Sequence, residues 1–185
     1  MYYLGKGVFD NLTECKSVAH LFDGCKINQI PDGIFDNCKE MEDVSFVFEA
    51  CNMYRIPDKL FHNCSNLKTV ECAFHRCNNL NYVPDDLFEE NKKITNVKKT
   101  FNACRNLTYI SSNIFDKCPD ISDATETFSK ELYIYGYAPY QYITSVPELW
   151  NRKDEDGNYK IKNHNHYACG CIYATNYDSI PIDWR

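Results

Sequence analysis

Apolar positions return along this chain in two interleaved columns, each advancing by 26 or 27 residues. One column is Phe9, Phe35, Phe61, Phe88 and Phe115, set in a half-repeat that reads Ile-Pro-x-x-Leu-Phe-x-x-Cys-x-x-Leu at 56–67. The other is Phe22, Phe48, Phe74, Phe101 and Phe128, set in a half-repeat that reads Val-x-x-x-Phe-x-x-Cys-x-x-Leu at 70–80. Val18, Val44, Val70, Val97 and Ala124 keep step with that second column. Cys25, Cys38, Cys51, Cys64, Cys77, Cys104 and Cys118 fall on one ladder through both halves, 13 or 14 residues apart, with Asn91 on the missing rung. Repetition on this scale is the signature of a solenoid, in which each unit completes its core against its neighbours.

Within each half, Phe-x-x-Cys-x-x-Leu puts apolar residues at i, i+3 and i+6, which predicts one face of a short helix. Pro31, Pro57 and Pro84 suit a first helical position, and Asp32, Asp58 and Asp85 put negative charge at the positive end of its dipole. Asn37, Asn63 and Asn79 offer stopping points. The partly β-branched segments 67–70 and 80–83 predict short strands that stack from coil to coil. The expected fold class is therefore α/β: a leucine-rich-repeat-like solenoid of 26–27-residue coils, each with two short helices and short stacked strands, closed by an irregular C-terminal cap.

Residues 1–131 are expected to form about five coils. The first is irregular, because Gly7-Val8-Phe9 lacks the preceding Ile-Pro, Leu12 stands on a cysteine rung and Cys15 on a leucine position. It is either a capping coil or the continuation of a longer repeat. Residues 132–185 belong to the same domain: a tyrosine-rich insertion, a return of the pattern at 146–150, a hairpin turning at Asp156-Gly157-Asn158, and a degraded last coil with Cys171, Ile180, Pro181 and Trp184.

A hydrophobic content of 44% gives ample material for a core. A net charge of −6, with basic doublets limited to Lys92-Lys93, Lys98-Lys99 and Arg152-Lys153, argues against nucleic acid as a partner. No stretch reaches the length needed to cross a bilayer and no export signal opens the chain, so a soluble protein without membrane insertion is expected. Eleven cysteines would suit a disulfide scaffold, but the count is odd and the spacing belongs to the repeat. They are expected to be free thiols acting as small buried hydrophobes, in a reducing compartment.

The sharpest metal-like cluster is His164, His166, Cys169 and Cys171, four donors within eight residues. Its Cys-x-Cys spacing differs from that of structural zinc sites, and Cys171 extends the ladder, so no metal and no cofactor are expected. A metal-binding enzyme built on this cluster is the alternative from another class. No nucleophile elbow, phosphate loop or paired-carboxylate site appears, so no catalytic residue is assigned. Binding candidates come from two places. The residue ahead of each Ile or Val in the Pro half forms a column of Gln29, Arg55, Tyr82 and Tyr109, whose Arg and Tyr suit interface hot spots or, equally, shield strand edges. The insertion supplies Tyr133, Tyr135, Tyr137, Tyr140 and Tyr142, either on a binding face or as packing for the end of the core.

The Phe-x-x-Cys-x-x-Leu units through residues 7–131 resemble the BspA-like leucine-rich repeat family. The coil here is longer than its commonest unit and adds the Ile-Pro half. The tail, with 146–151, Cys169 to Cys171, 174–177, Ile180-Pro181 and Trp184, is similar to the closing segment of such domains in bacteriophage structural proteins and gut-bacterial surface proteins. The resemblance implies a non-enzymatic interaction or adhesion module: a phage virion or tail-associated receptor-binding or decoration protein, folded in the host cytoplasm, or a repeat fragment of an adhesin at the bacterial cell surface. The implied partner is a protein or a cell-surface glycan, with other virion proteins as further candidates.

Overall fold

The computed structural model describes residues 2–129 and 143–185. They form a repeat solenoid, but the predicted helices are replaced by tandem turns. The Cys64 N–H donates to the Phe61 carbonyl at 3.0 Å and the Leu67 N–H to the Cys64 carbonyl at 3.1 Å. The Val half repeats this, with Cys77 N–H to Phe74 O at 3.2 Å and Leu80 N–H to Cys77 O at 3.0 Å. The physical reason is the period. Apolar residues recur at three, whereas an α-helix turns once in 3.6 and bonds each N–H four residues back. A spacing of three is met by separate turns. No α-helix occurs among the described residues, where helical geometry is limited to 3-10 turns at Leu149–Asn151, Tyr177–Ser179 and Ile182–Trp184. Pro31 and Pro57, with Asp32 and Asp58, therefore open turns rather than helices, and the next residues, Gly33 and Lys59, take φ of 71° and 60°.

The predicted strands shrink in the same way. Among the described residues only β1 (Tyr2–Tyr3) and β2 (Ile27–Gln29) pair as strands, in parallel. Elsewhere coils meet through single-residue bridges, chiefly Ser17, Asp43, Thr69, Asn96, Asp123 and Asn163, each parallel to the next. From that column a hydrogen-bond ladder runs along the Val half. N–H groups of Val44, Phe46, Phe48 and Ala50 donate to carbonyls of Thr69, Glu71, Ala73 and His75 in the next coil, at 2.8–3.2 Å. Carbonyls of Lys16, Glu42, Lys68, Thr95 and Ser122 each accept two N–H groups in the opposite sense. Along 44–50 only alternate N–H groups cross between coils, while those between, such as Val47 and Glu49, bond back within the coil. This alternation accompanies left-handed backbone at His20, Phe46, Cys72, Lys99, Glu126 and His166, with φ of 53–59°. Such a conformation costs about 1–2 kcal/mol in an L-residue, and the ladder bonds hold it in place.

The core is two columns of phenylalanines. Phe9, Phe35, Phe61, Phe88 and Phe115 stack at 5.7–6.1 Å between centroids, and Phe22, Phe48, Phe74, Phe101 and Phe128 at 5.5–6.0 Å. Cys38, Cys51, Cys64, Cys77, Cys104 and Cys118 are buried in the same core, and all eleven cysteines of the chain are free thiols. The extra residue of a 27-residue coil is absorbed at one corner. Met53 lies two residues after Cys51, while Leu80 and Leu107 lie three after Cys77 and Cys104 and close a turn onto them; all three are fully buried.

The C-terminal segment rejoins the solenoid through Asp123 and Asn163. Tyr167 meets Phe128 edge-on at 5.3 Å and 86°, which ends the stack, and Trp184 packs against Tyr167, Trp150, Tyr159 and His164. A hairpin projects between them, with Lys153 antiparallel to Tyr159 and Gly157 at φ 81°. No helix among the described residues is long and apolar enough to cross a membrane.

Candidate binding ridge

The corner between the Val and Pro halves turns its side chains outward, because Met53 and Ile56 on either side are drawn into the core. Arg55 and Tyr82 are locked side by side by a parallel bridge, with Ile56 N–H donating to Tyr82 O at 3.1 Å and Asn81 N–H to Tyr54 O at 2.9 Å. The Arg55 guanidinium lies over the Tyr82 ring, 5.1 Å from its centroid. Arg55 Nη2 and the Tyr82 hydroxyl both donate to Asp58 Oδ1, at 3.2 and 3.3 Å. Partial desolvation and the Asp58 carboxylate push the Tyr82 phenol above its ordinary value. Tyr82 is 45% exposed and Tyr109 53%. Gln29, at the end of β2, and Arg55 border a shallow cleft with Lys6, Asp32 and Pro57.

Arg55, Tyr82 and Asp58 thus form an ordered, nearly neutral cluster; no contact joins Tyr109 to Tyr82 among the described residues. The Arg55 guanidinium is already paired with Asp58, so the cluster offers little free positive charge to a phosphate. Two members escaped the sequence reading. Asp58 was assigned to a helix start, and Tyr54, 56% exposed, sits one residue ahead of the column in the corner of its coil. The insertion tyrosines Tyr133, Tyr135, Tyr137, Tyr140 and Tyr142 lie outside the described residues.

His164, His166, Cys169 and Cys171 are not brought together as a metal site. His164 stacks flat on Trp184 at 4.3 Å, with Nε2 3.9 Å from Asp183 Oδ2. The His166 ring nitrogen Nδ1 donates to the Arg185 carbonyl at 3.3 Å. The Cys171 thiol is buried and donates to the Phe128 carbonyl at 3.1 Å. Among the described residues no group of three His, Cys, Asp or Glu is placed to hold a metal ion.

The cysteine ladder is more than a row of small hydrophobes. Five of the ladder thiols reach back to a phenylalanine carbonyl in the preceding coil: Cys51 to Phe22 at 3.1 Å, Cys77 to Phe48 at 3.1 Å and Cys104 to Phe74 at 3.0 Å, and more distantly Cys64 to Phe35 at 3.8 Å and Cys118 to Phe88 at 3.9 Å. Asn91 makes the same contact with its amide, to Phe61 O at 3.0 Å and Cys64 O at 2.8 Å. Arg152 ends the series, its guanidinium donating to Cys118 O at 2.7 Å and Phe115 O at 2.6 Å. Burial pushes the thiols of Cys51, Cys64, Cys72, Cys104 and Cys118 up to about 12. They are protonated thiols, without the thiolate that redox or nucleophilic chemistry needs.

The family model for the BspA type leucine rich repeat region matches residues 1–122 in six copies. No curated protein matches the chain. Among solved structures, the LRIM1/APL1C complex is similar at 20% identity with a TM-score of 0.34, over 46% of this chain and 17% of that one. The Toll–Spatzle complex of Drosophila is similar at 14% identity with a TM-score of 0.32, over 66% of this chain and 20% of that one. The chain therefore spans a fifth or less of the length of either.

Proposed function

This chain belongs to the BspA-type leucine-rich repeat family, and from that premise we propose that it is a non-enzymatic binding module of a bacteriophage virion or tail, contacting a receptor through the ridge of Gln29, Arg55, Tyr82 and Tyr109. Repeats of this family make protein-interaction modules. The observation that carries the site is the Arg55–Tyr82–Asp58 cluster. It holds two large contact side chains in one orientation before any partner arrives, which reduces the entropy lost on binding. The partner class is a protein or a cell-surface glycan of the host.

The test uses the full chain with Tyr82→Ala and Tyr109→Ala together, measuring binding of labelled protein to intact bacterial cells and to a glycan array. Both rings are about half exposed, so the melting temperature should hold while binding falls at least tenfold. Unchanged binding would remove the ridge. Particles in which antibody to the chain labels the tail or capsid support the virion assignment, and labelling confined to a bacterial surface overturns it in favour of an adhesin.

A further inference from the structure

The last coil carries a hairpin that the repeat does not need. Interior coils pass from the rung residue to the bridge residue in five steps, Cys64 to Thr69, Asn91 to Asn96 and Cys118 to Asp123, whereas the last coil takes eleven, Arg152 to Asn163. Insertions of this kind in a repeat gather on its functional face. Beside this one lies an open cleft of about 490 Å³, with Lys153, Gly157, Asn158, Tyr159, Lys162 and His164 in its walls and no carboxylate among them. Lys68, Lys98 and Lys99 each pair with a glutamate of a neighbouring coil, but Lys153 and Lys162 are exposed and have no carboxylate partner among the described residues. The antiparallel bridge from Lys153 to Tyr159 sets the ammonium 5.3 Å from the ring centroid, and Tyr159 in turn meets Trp184 and His164 at steep angles. The His164 ring is pinned flat on Trp184, and its Nδ1 is buried with no hydrogen-bond partner among the described residues. A cap built for stability alone would pair that nitrogen.

We propose that this cleft is a further binding site, which takes the carboxylate of an acidic saccharide. The two ammoniums supply the positive charge, and the side-chain amide of Asn158 offers a donor and an acceptor to ring hydroxyls. The Tyr159 ring gives the sugar an apolar wall. Charge around the cleft selects a carboxylate over a phosphate. Glu155 and Asp156 stand at the hairpin tip, Asp154 has its Oδ1 taken by the N–H groups of Asp156 and Asn158 at 3.0 and 2.9 Å, and Asp183 Oδ2 lies 3.9 Å from His164 Nε2. These four carboxylates oppose a second negative charge on the ligand, and no guanidinium lines the cleft to grip a phosphate in two places. The cleft shares no residue with the ridge, so the two assignments fail separately.

The test titrates glucuronate and N-acetylneuraminate into the full chain, with glucose and glucose 6-phosphate alongside at equal ionic strength, followed by amide NMR. At least one acidic sugar should give saturable shifts at Gly157, Asn158, Lys162 and His164. Absence of shifts from both at tens of millimolar overturns the site. Equally tight binding of glucose overturns the role of charge, and tighter binding of glucose 6-phosphate overturns the choice of carboxylate. Lys153→Gln with Lys162→Gln should leave the melting temperature unchanged, because both side chains are exposed, and should weaken acidic-sugar binding about tenfold or more. Undiminished affinity places the sugar elsewhere and overturns the cleft. The protein carrying Tyr82→Ala and Tyr109→Ala should bind these sugars as the parent does, and loss of binding there overturns the separation of cleft from ridge.

Discussion

Cys77 separates two accounts of the cysteine ladder, one in which its thiol is only a hydrophobe and one in which it is also a hydrogen-bond donor. The side chain is fully buried, and its sulfur lies 3.1 Å from the Phe48 carbonyl, which also accepts the Cys51 N–H at 3.2 Å. Cys77→Ala removes a buried sulfur, costing ~1 kcal/mol in transfer and cavity terms, and one net hydrogen bond, costing ~1 kcal/mol. Phe48 O keeps its backbone donor, so no carbonyl is stranded. The total is ~2 kcal/mol, or ~4–8 °C in melting temperature for a chain of this size. Cys77→Ser shortens the reach but keeps a donor, so it should cost about 1 kcal/mol and rank above Ala. Asn91 shows that a polar rung is tolerated when it reaches carbonyls. Urea titrations of the two variants decide the matter. Serine less stable than alanine by more than ~1 kcal/mol would mean that burial of a polar group dominates and the thiol bonds are incidental.

Because burial raises the thiols of Cys51, Cys64, Cys72, Cys104 and Cys118 from 9.0 to about 12, the folded state keeps protons that the unfolded state loses. Stability should be intact below pH 9 and fall between 9 and 12, by ~1.4 kcal/mol per pH unit for each such thiol; equal urea midpoints at pH 8 and pH 10 would contradict this. Reductant should leave the melting temperature unchanged, since all eleven cysteines are free, and a large drop would reveal disulfides. Arg152→Ala should cost ~2–3 kcal/mol through two lost charge-assisted bonds, read as faster hydrogen exchange at 143–185, whereas unchanged exchange would show that the cap holds without it. Asp123→Ala should cost ~1 kcal/mol by removing the acceptor of the Thr125 N–H at 2.9 Å, and a stability equal to the parent would make that turn cap dispensable.

The solenoid and its core were legible because burial repeats side-chain identity: phenylalanine and cysteine columns are visible as letters. The backbone was not. Left-handed φ falls on His20, Phe46, Cys72, Lys99 and Glu126, five different side chains, so the periodicity exists in conformation without a residue type to mark it. The helix prediction failed on a period of three taken for 3.6. One signal was available and missed. The residue before each valine-column position, Ser17, Asp43, Thr69, Asn96 and Asp123, always has a short side-chain acceptor, and each accepts the N–H two residues on. At the ridge, Arg55 and Tyr82 were found by their shared column, while Asp58 was hidden because it lies elsewhere in the coil and meets them only after the chain has turned.

The ladder of the Val half bonds each coil to the next along the solenoid axis, whereas bonds inside a coil lie across it. Tension on the two ends of the chain would therefore load the inter-coil bonds along their own length, and the interfaces would fail one at a time. Each failure frees a coil of 26 or 27 residues, roughly 90 Å of slack at full extension. A protein built this way is a chain of equal mechanical fuses, able to lengthen stepwise under load while the unbroken coils keep their shape.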